Sequence, residues 1–177
     1  MPDRRVLFAL AFASMLLPGP VTANSALATA ARYFSNPMMV GQGLLSHLFW
    51  DVYKATLIAP NAKWHPDKPF ALSVKYLLDI DGDDIAERTI AEIRDQGYGN
   101  EPTLSVWQEN LSNILPNVTD GTRLTAVRNK AGHTIFYRGG TWIGEVKDRV
   151  FTRKFFNIWL GEKTPQPALR RALLGGV

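Results

Sequence analysis

The sequence predicts an α+β protein, and three observations support this prediction. The stretch 48–59 is rich in aromatic and β-branched residues and has no internal glycine or proline, which is typical of a long strand. Residues 70–78 alternate between two faces, whereas residues 84–96 and 104–115 show the apolar spacing of helices. A chain of 177 residues is long enough to bury one sizeable core.

The N-terminal segment 1–23 has the three regions of a secretory signal. Two arginines supply positive charge, residues 6–17 form an apolar run too short to span a bilayer comfortably, and residues 21–23 (Val-Thr-Ala) resemble a cleavage site. We therefore expect a signal peptide at residues 1–23, one mature domain at residues 24–177, and a periplasmic or secreted location. The alternative is an N-terminal anchor that is not cleaved.

Composition excludes several classes of function. The absence of cysteine rules out disulfides, thiolate nucleophiles and cysteine metal sites. The formal net charge is +4, and its basic residues are interspersed with acidic ones, which does not indicate a nucleic-acid partner. This charge leaves contact with a membrane surface open. His47, His65 and His133 lack metal-site spacing, so we expect no metal and no cofactor.

The segments around the long strand are read from their small residues and prolines. Residues 24–31 are expected to be a frayed N-terminus, and residues 32–40 to hold a short edge strand. Gly41-Gln42-Gly43 is predicted to be a turn. Both faces of residues 48–59 carry apolar side chains, so we expect both faces to be covered. Residues 60–69 contain three prolines and predict a loop.

The acidic segment 79–83 (Asp-Ile-Asp-Gly-Asp) resembles the start of a calcium loop. No register places both the glycine and the glutamate where such a loop needs them, so helix capping explains the carboxylates better. A helix is expected from residue 84 to 96, ended by Gly97. A second helix should cover residues 104–115, with Thr103 as its N-cap.

The last third of the chain changes to the period of strands and then returns to that of helices. Three strands, which form a meander, are predicted at residues 122–128, 133–138 and 141–146. Asp148 should cap a helix that ends at Leu160 and presents a broad apolar stripe to the core. Residues 164–175 should form a short final helix.

Four segments occur together in a specific order. They are Leu48-Phe49-Trp50-Asp51-Val52-Tyr53, residues 79–88 (DIDGDDIAER), Ile135-Phe136-Tyr137, and the ending FFNIWLGEKTP at 155–165 with LRRALLG at 169–175. Together they resemble the bacterial chalcone isomerase-like family over about residues 40–175. The resemblance implies an open-faced β-sandwich, in which a large antiparallel sheet carries helices on one face and a cleft lies between them.

The same resemblance implies what the cleft does in relatives. Plant chalcone isomerases close a flavanone ring there, and related members bind fatty acids through an arginine and a tyrosine. The isomerase's polar positions fall on or near Leu44 or Leu45, Tyr53, Ile85, Glu92 and Ile158. None of these residues has the required side chain. Loss of one preorganised donor typically costs about a hundred- to a thousand-fold in rate, so chalcone cyclisation is not expected.

Candidate ligand-binding residues follow from the aromatic content of the chain. They are Tyr53, Arg88, Trp50, Tyr76, Trp107 and Tyr137, and the aromatic residues Phe136, Phe155 and Trp159 could line the same apolar pocket. Tyr53 places a hydroxyl in the middle of a strand and Arg88 places a guanidinium on the covering helix, so these two are the first candidates for a polar head group. The alternatives are ordinary core packing for the aromatics, and a surface ion pair with Asp84 or Glu92 for Arg88.

We therefore expect an exported, non-catalytic binding protein whose partner is a fatty acid or similar hydrophobic or amphipathic small molecule. One alternative is an enzyme of isomerase or lyase type that uses the same cleft, with Glu92 as its ionisable group. The other is an envelope interaction module without a ligand, which requires an interior filled by its own side chains. The sequence does not identify the ligand, the oligomeric state or the pathway.

Overall fold

A computed structural model describes residues 24–176 of the chain. The predicted signal peptide at residues 1–23 lies outside this part. Within residues 24–176, six strands form one antiparallel sheet in which every strand pairs with its neighbours in sequence, and five helices accompany it. The predicted α+β class and open antiparallel sheet are confirmed, and the predicted meander of three strands extends to all six.

Along the chain, one helix is followed by three strands, two helices, three strands and two helices. The strands are β1 (Pro37–His47), β2 (Trp50–Pro60), β3 (Phe70–Tyr76), β4 (Arg123–Arg128), β5 (Thr134–Arg138) and β6 (Thr141–Val146). The helices are α1 (Asn24–Ala31), α2 (Gly82–Asp95), α3 (Glu101–Ile114), α4 (Arg149–Leu160) and α5 (Pro167–Leu173). None of the five described helices has the length and apolar character of a membrane span.

The sheet separates two apolar layers of unequal size. The larger layer holds buried residues of α2, α3, α4 and α5 against one face of the sheet. On the other face, Ala26 and Ala30 of α1 pack with Ile58 and Val127. The prediction that residues 24–31 fray is therefore wrong, because these alanines, spaced one helical turn apart, are buried against the sheet. The helices are also not confined to one face, since α1 lies on the second.

The predicted turn at Gly41-Gln42-Gly43 is also wrong, because these residues lie within β1. A Cβ atom on Gly41 would lie 2.1 Å from the backbone oxygen of Ala172, and one on Gly43 would lie 2.5 Å from the side chain of Leu169. The glycines therefore let α5 lie directly on the strand. A bulge at Val40, between the pairs Met39–Ile58 and Gly41–Leu57, bends the strand beside this contact.

The predicted long strand begins later than expected. Leu48 and Phe49 form the two-residue turn that joins β1 to β2, and His47 pairs with Trp50 across it. Residues 55–59 of β2 are covered on both faces as predicted, but Trp50 and Asp51 are exposed. Apolar and aromatic composition alone did not reveal the turn, because neither turn residue is one that turns usually favour.

Two helix starts show how local side chains set the boundaries. Asp148 caps α4 as predicted, and its Oδ1 accepts hydrogen bonds from the N–H groups of Val150 at 2.7 Å and Phe151 at 3.0 Å. The start of α3 lies before the predicted Thr103, because Asn100 is its N-cap. The Asn100 side chain accepts a hydrogen bond from the Thr103 N–H at 3.1 Å.

The close contact between α5 and β1 gives a stability prediction. Gly41→Ala should destabilise the protein by about 1–3 kcal/mol, because the new methyl group meets backbone atoms of α5 that have little room to move. Gly99→Ala is the matched control, since a Cβ there meets nothing within 4 Å and Gly99 does not have a positive φ. Urea unfolding of both variants checks this. Equal stability of the two variants would contradict the proposed contact.

Candidate functional site

A cavity of about 520 Å³ lies between the sheet and the helices. Side chains of β2, β3, β4 and β5 form one wall, and those of α2 and α4 form the facing wall. The end of β1 and the segment between α4 and α5 contribute to its lining. Its volume is within the roughly 300–1,000 Å³ that is usual for ligand clefts. The unfilled space predicted between the long strand and its helical cover is therefore present.

Most of the cavity wall is apolar. The sheet contributes side chains that include Leu72, Val74, Leu124, Ala126 and Phe136. The helices contribute others that include Ile85, Phe155 and Ile158. A hydrocarbon chain in this space would leave water for a mostly apolar surrounding, and each buried methylene contributes about 0.8 kcal/mol to such a transfer.

Two tyrosine hydroxyls provide polar groups in this apolar wall. The Tyr53 hydroxyl accepts a hydrogen bond of 2.8 Å from Nε1 of Trp159, and its own proton has no acceptor within residues 24–176. Tyr76 packs edge-on against Tyr53, with 6.0 Å between the ring centroids, and its hydroxyl makes no hydrogen bond in the same part of the chain. Both hydroxyls are therefore available to donate to a ligand oxygen.

Burial determines how these hydroxyls titrate. Loss of hydration raises the pKa of Tyr53 to about 12. The hydrogen bond from Trp159 opposes this rise, the negative charge of Glu92 adds to it, and the positive charge of Arg88 opposes it. Burial likewise raises the pKa of Tyr76 well above its usual range. Both groups therefore remain protonated donors at neutral pH.

Arg88 and Glu92 bring opposite charges to the same cavity. They lie one turn apart on α2 and form an ion pair, and both line the cavity. The Arg88 side chain is 73% exposed, whereas that of Glu92 is 11% exposed. The guanidinium therefore stays in contact with solvent and the carboxylate points inward. The sequence predicts that Arg88 either lines the cleft or forms a surface ion pair. It does both, because its ion pair with Glu92 lies at the cavity.

Three of the six predicted ligand-binding residues lie elsewhere. Trp50 is 66% exposed beside the turn between β1 and β2. Trp107 is buried under α4 and donates its Nε1 proton to Asp148 at 3.0 Å. Tyr137 lies on the other face of the sheet, where its hydroxyl is 2.5 Å from that of Tyr33. The cavity thus brings together Tyr53, Tyr76 and Arg88, and their roles in binding stay predictions.

Sequence reasoning did not identify Gln166 as a site residue, and it named Trp159 only among the aromatic residues that could line an apolar pocket. Trp159 lies at the end of the apolar stripe of α4, where its indole reaches the Tyr53 hydroxyl. Gln166 borders the cavity just before α5. The stripe itself was visible as a helical repeat, but the repeat does not show which of its members borders open space.

The positions that the family resemblance assigns to isomerase chemistry can now be located. Leu45, Tyr53, Ile85, Glu92 and Ile158 all line the cavity. Three of them present only aliphatic side chains where the chemistry would need polar ones. The cavity therefore has the predicted location but lacks the polar groups for ring closure at those positions.

A second cavity has the opposite character. Its volume is about 660 Å³, and it is bordered by Arg128, Lys130, Arg149 and Arg153, with Asp67 as a single carboxylate. Burial lowers the pKa of Arg128, Asp67 opposes this change, and the other two arginines add to it. Concentrated positive charge makes this cavity a poor place for an apolar chain, so the first cavity is the candidate site.

Comparison with known proteins supplies the family. A family model described as chalcone isomerase-like matches residues 23–175. The chain belongs to the chalcone isomerase-like family. No curated protein sequence shows a detectable match to it. The family resemblance seen in the sequence is thus confirmed.

A solved structure confirms the chalcone isomerase-like fold. The chain is similar to a fatty-acid binding protein of Arabidopsis thaliana, with a TM-score of 0.61 and 13% sequence identity. The similarity covers 80% of this chain and 88% of the plant protein. At 13% identity, this similarity establishes a shared fold only. The ligand of the protein described here has to be inferred from its own cavity.

The titration of Tyr53 predicts a change of stability at alkaline pH. Its pKa is about 12 in the folded protein, against about 10 for an unfolded chain. A pKa raised by folding contributes stability that is complete below pH 10 and is lost as the pH rises to 12, and a shift of two pKa units corresponds to about 3 kcal/mol. Urea unfolding from pH 9 to 11.5 should therefore show a shallower loss of stability for Tyr53→Phe than for wild type. Equal loss of stability with pH in the wild type and in Tyr53→Phe would contradict the raised pKa of Tyr53.

Proposed function

We propose that this protein binds a fatty acid or a similar amphipathic small molecule in the cavity and catalyses no reaction on it. One observation carries the proposal: an apolar cavity of about 520 Å³ contains two tyrosine hydroxyls with free protons and a guanidinium. Such a combination suits a molecule with a long apolar part and one polar end. The plant protein of the same fold is described as a fatty-acid binding protein, which supports this reading.

The polar groups suggest how the ligand is oriented. A carboxylate near Tyr53 and Tyr76 would accept hydrogen bonds from their two hydroxyls and lie within the electric field of Arg88. The buried Glu92 would repel a second negative charge, and its pairing with Arg88 reduces that repulsion. The hydrocarbon tail would then lie between the apolar sheet face and α4.

The two alternative functions differ in the support they have. One observation supports the enzyme alternative: Glu92 is buried and faces the cavity. Its Arg88 partner also gives this carboxylate a role in binding or stability that needs no reaction. The interaction module without a ligand required a filled interior, and the open cavity speaks against it.

We also propose that the protein is exported to the periplasm or secreted, with residues 1–23 removed. The support is the sequence of that segment, which has the charged, apolar and small-residue regions of a signal. Intact-mass measurement of the protein recovered from the native cell fractions tests this. A mature chain that starts near Asn24 outside the cytoplasm is expected, and an uncut chain inside it would contradict the proposal.

The binding proposal is tested with protein freed of lipid. Native mass spectrometry and calorimetry with palmitate should show one bound molecule per chain. Ala126 lies at the cavity wall, so Ala126→Phe should fill the cavity and abolish uptake. Ala131→Phe, in the exposed turn between β4 and β5, is the control for added bulk. Uptake by neither the wild type nor the control would refute the proposal, and so would full uptake by Ala126→Phe.

The role of Arg88 is tested by comparing two ligands with equal tails. Arg88→Met should weaken palmitate binding by about tenfold and leave hexadecanol binding unchanged, because only the acid carries a charge and the guanidinium is largely solvated. Arg94→Met is the control, since Arg94 lies on the same helix but pairs with Glu101 away from the cavity. Equal losses for both ligands would show that Arg88 does not recognise the carboxylate.

A further inference from the structure

The turn between β1 and β2 exposes three consecutive apolar side chains. We call Leu48, Phe49 and Trp50 the hairpin tip, and their residues are 81%, 98% and 66% exposed. Single exposed apolar residues are common on protein surfaces, but a run of three large ones at a protruding end is not. Such a run usually marks a surface that another apolar phase covers.

The backbone of the tip makes its composition more unusual. The two-residue turn places Leu48 at a φ of 54°, a left-handed conformation that glycine, asparagine or aspartate adopts more readily. Behind the turn, the Ser46 hydroxyl donates a hydrogen bond of 2.6 Å to Oδ1 of Asp51 and ties the two strands together. The hairpin therefore holds apolar side chains outward at a place where polar turn residues would be easier to accommodate.

The tip is continuous with the rim of the cavity. Leu45, Ser46 and His47 precede it on β1 and line the cavity. Val52 and Tyr53 follow it on β2 and line the cavity as well. Ser46 and His47 are exposed to solvent although they line the cavity, so we infer that the cavity opens beside the tip, and a surface that covers the tip would lie next to this opening.

We propose that the hairpin tip inserts into the interfacial layer of a lipid bilayer and brings the cavity rim to the membrane. Tryptophan suits that layer because its ring is apolar and its N–H can stay hydrated, and leucine and phenylalanine suit the acyl region just below it. A narrow turn of three residues also fits a fluid bilayer better than a protein partner, which would need about 800 Å² of matching surface. Exchange of a ligand between the membrane and the cavity would rest on the proposed function. Docking of the tip on the membrane does not.

Vesicle binding tests the docking. Wild-type protein should co-sediment with phosphatidylcholine vesicles, and the tip variant Leu48→Ser/Phe49→Ser/Trp50→Gln should partition at least about tenfold less. A control variant, Val106→Ser/Trp142→Gln/Val150→Ser, removes three other exposed apolar side chains and should bind as wild type does. Failure of the wild type to bind, or equal losses in both variants, would overturn the proposal.

A spectroscopic measurement locates the contact. Trp50 and Trp142 are the two tryptophans that are more than half exposed in residues 24–176. Vesicles should shift the tryptophan emission of the wild type to shorter wavelength. Trp50→Phe should remove this shift while vesicle binding persists, and Trp142→Phe should retain it. The opposite pattern would place the membrane contact elsewhere and overturn the proposal.

A third measurement separates the two proposals. The tip variant should still take up palmitate from solution with the affinity of the wild type, because its changed residues do not line the cavity. Wild-type vesicle binding without palmitate uptake would refute the proposed function and leave the docking intact. A concentration-dependent dimer that disappears in the tip variant, together with absent vesicle binding, would identify the tip as a contact between copies and overturn the docking.

Discussion

The distance between the sheet and α4 is the constraint on which the site depends. Large aromatic side chains of α4 set this distance: Phe156 meets Phe70 of β3 with ring centroids 4.6 Å apart, and Phe155 meets Phe136 of β5 at 5.4 Å. Edge-on rings resist closer approach because their packing is already at contact distance. Phe155 and Phe136 also line the cavity, together with Trp159 near the end of the helix, so the cavity is the space that these rings leave between the helix and the sheet.

The polar groups in that space are held by the same helix and its neighbour. Trp159 of α4 keeps the Tyr53 ring in place through a hydrogen bond of 2.8 Å, so the phenol is oriented before any ligand arrives. Arg88 neutralises the inward-facing Glu92 from α2, which lowers the cost of a buried carboxylate. The site thus has preorganised hydrogen-bond donors and, among the residues described, no isolated buried charge, an arrangement that suits recognition of one polar end of a ligand.

The sequence revealed the elements that have strong local signals. Asp148 and the apolar stripe behind it predicted α4 accurately, and the change to the period of strands predicted β6 at residues 141–146. Contacts distant in sequence decided the failures. Gly41 and Gly43 predict a turn by their spacing, but they lie in β1 and α5 packs directly on them. Ala26 and Ala30 belong to α1 because the sheet buries them. Trp107, Tyr137 and Trp50 are aromatic like Tyr53 and Tyr76, and composition does not distinguish core, opposite face and exposed tip.

The β1–β2 hairpin links the two parts of the structure that matter most for the proposed function. At its outer end Phe49 and its neighbours are exposed to solvent, and in its inner part α5 packs directly on Gly41 and Gly43. The segment that leads into α5 includes Gln166, which borders the cavity. The hairpin therefore contributes to the cavity in two ways: its own strands supply Ser46 and Tyr53 to the lining, and the helix that packs on it is preceded by the segment that supplies Gln166.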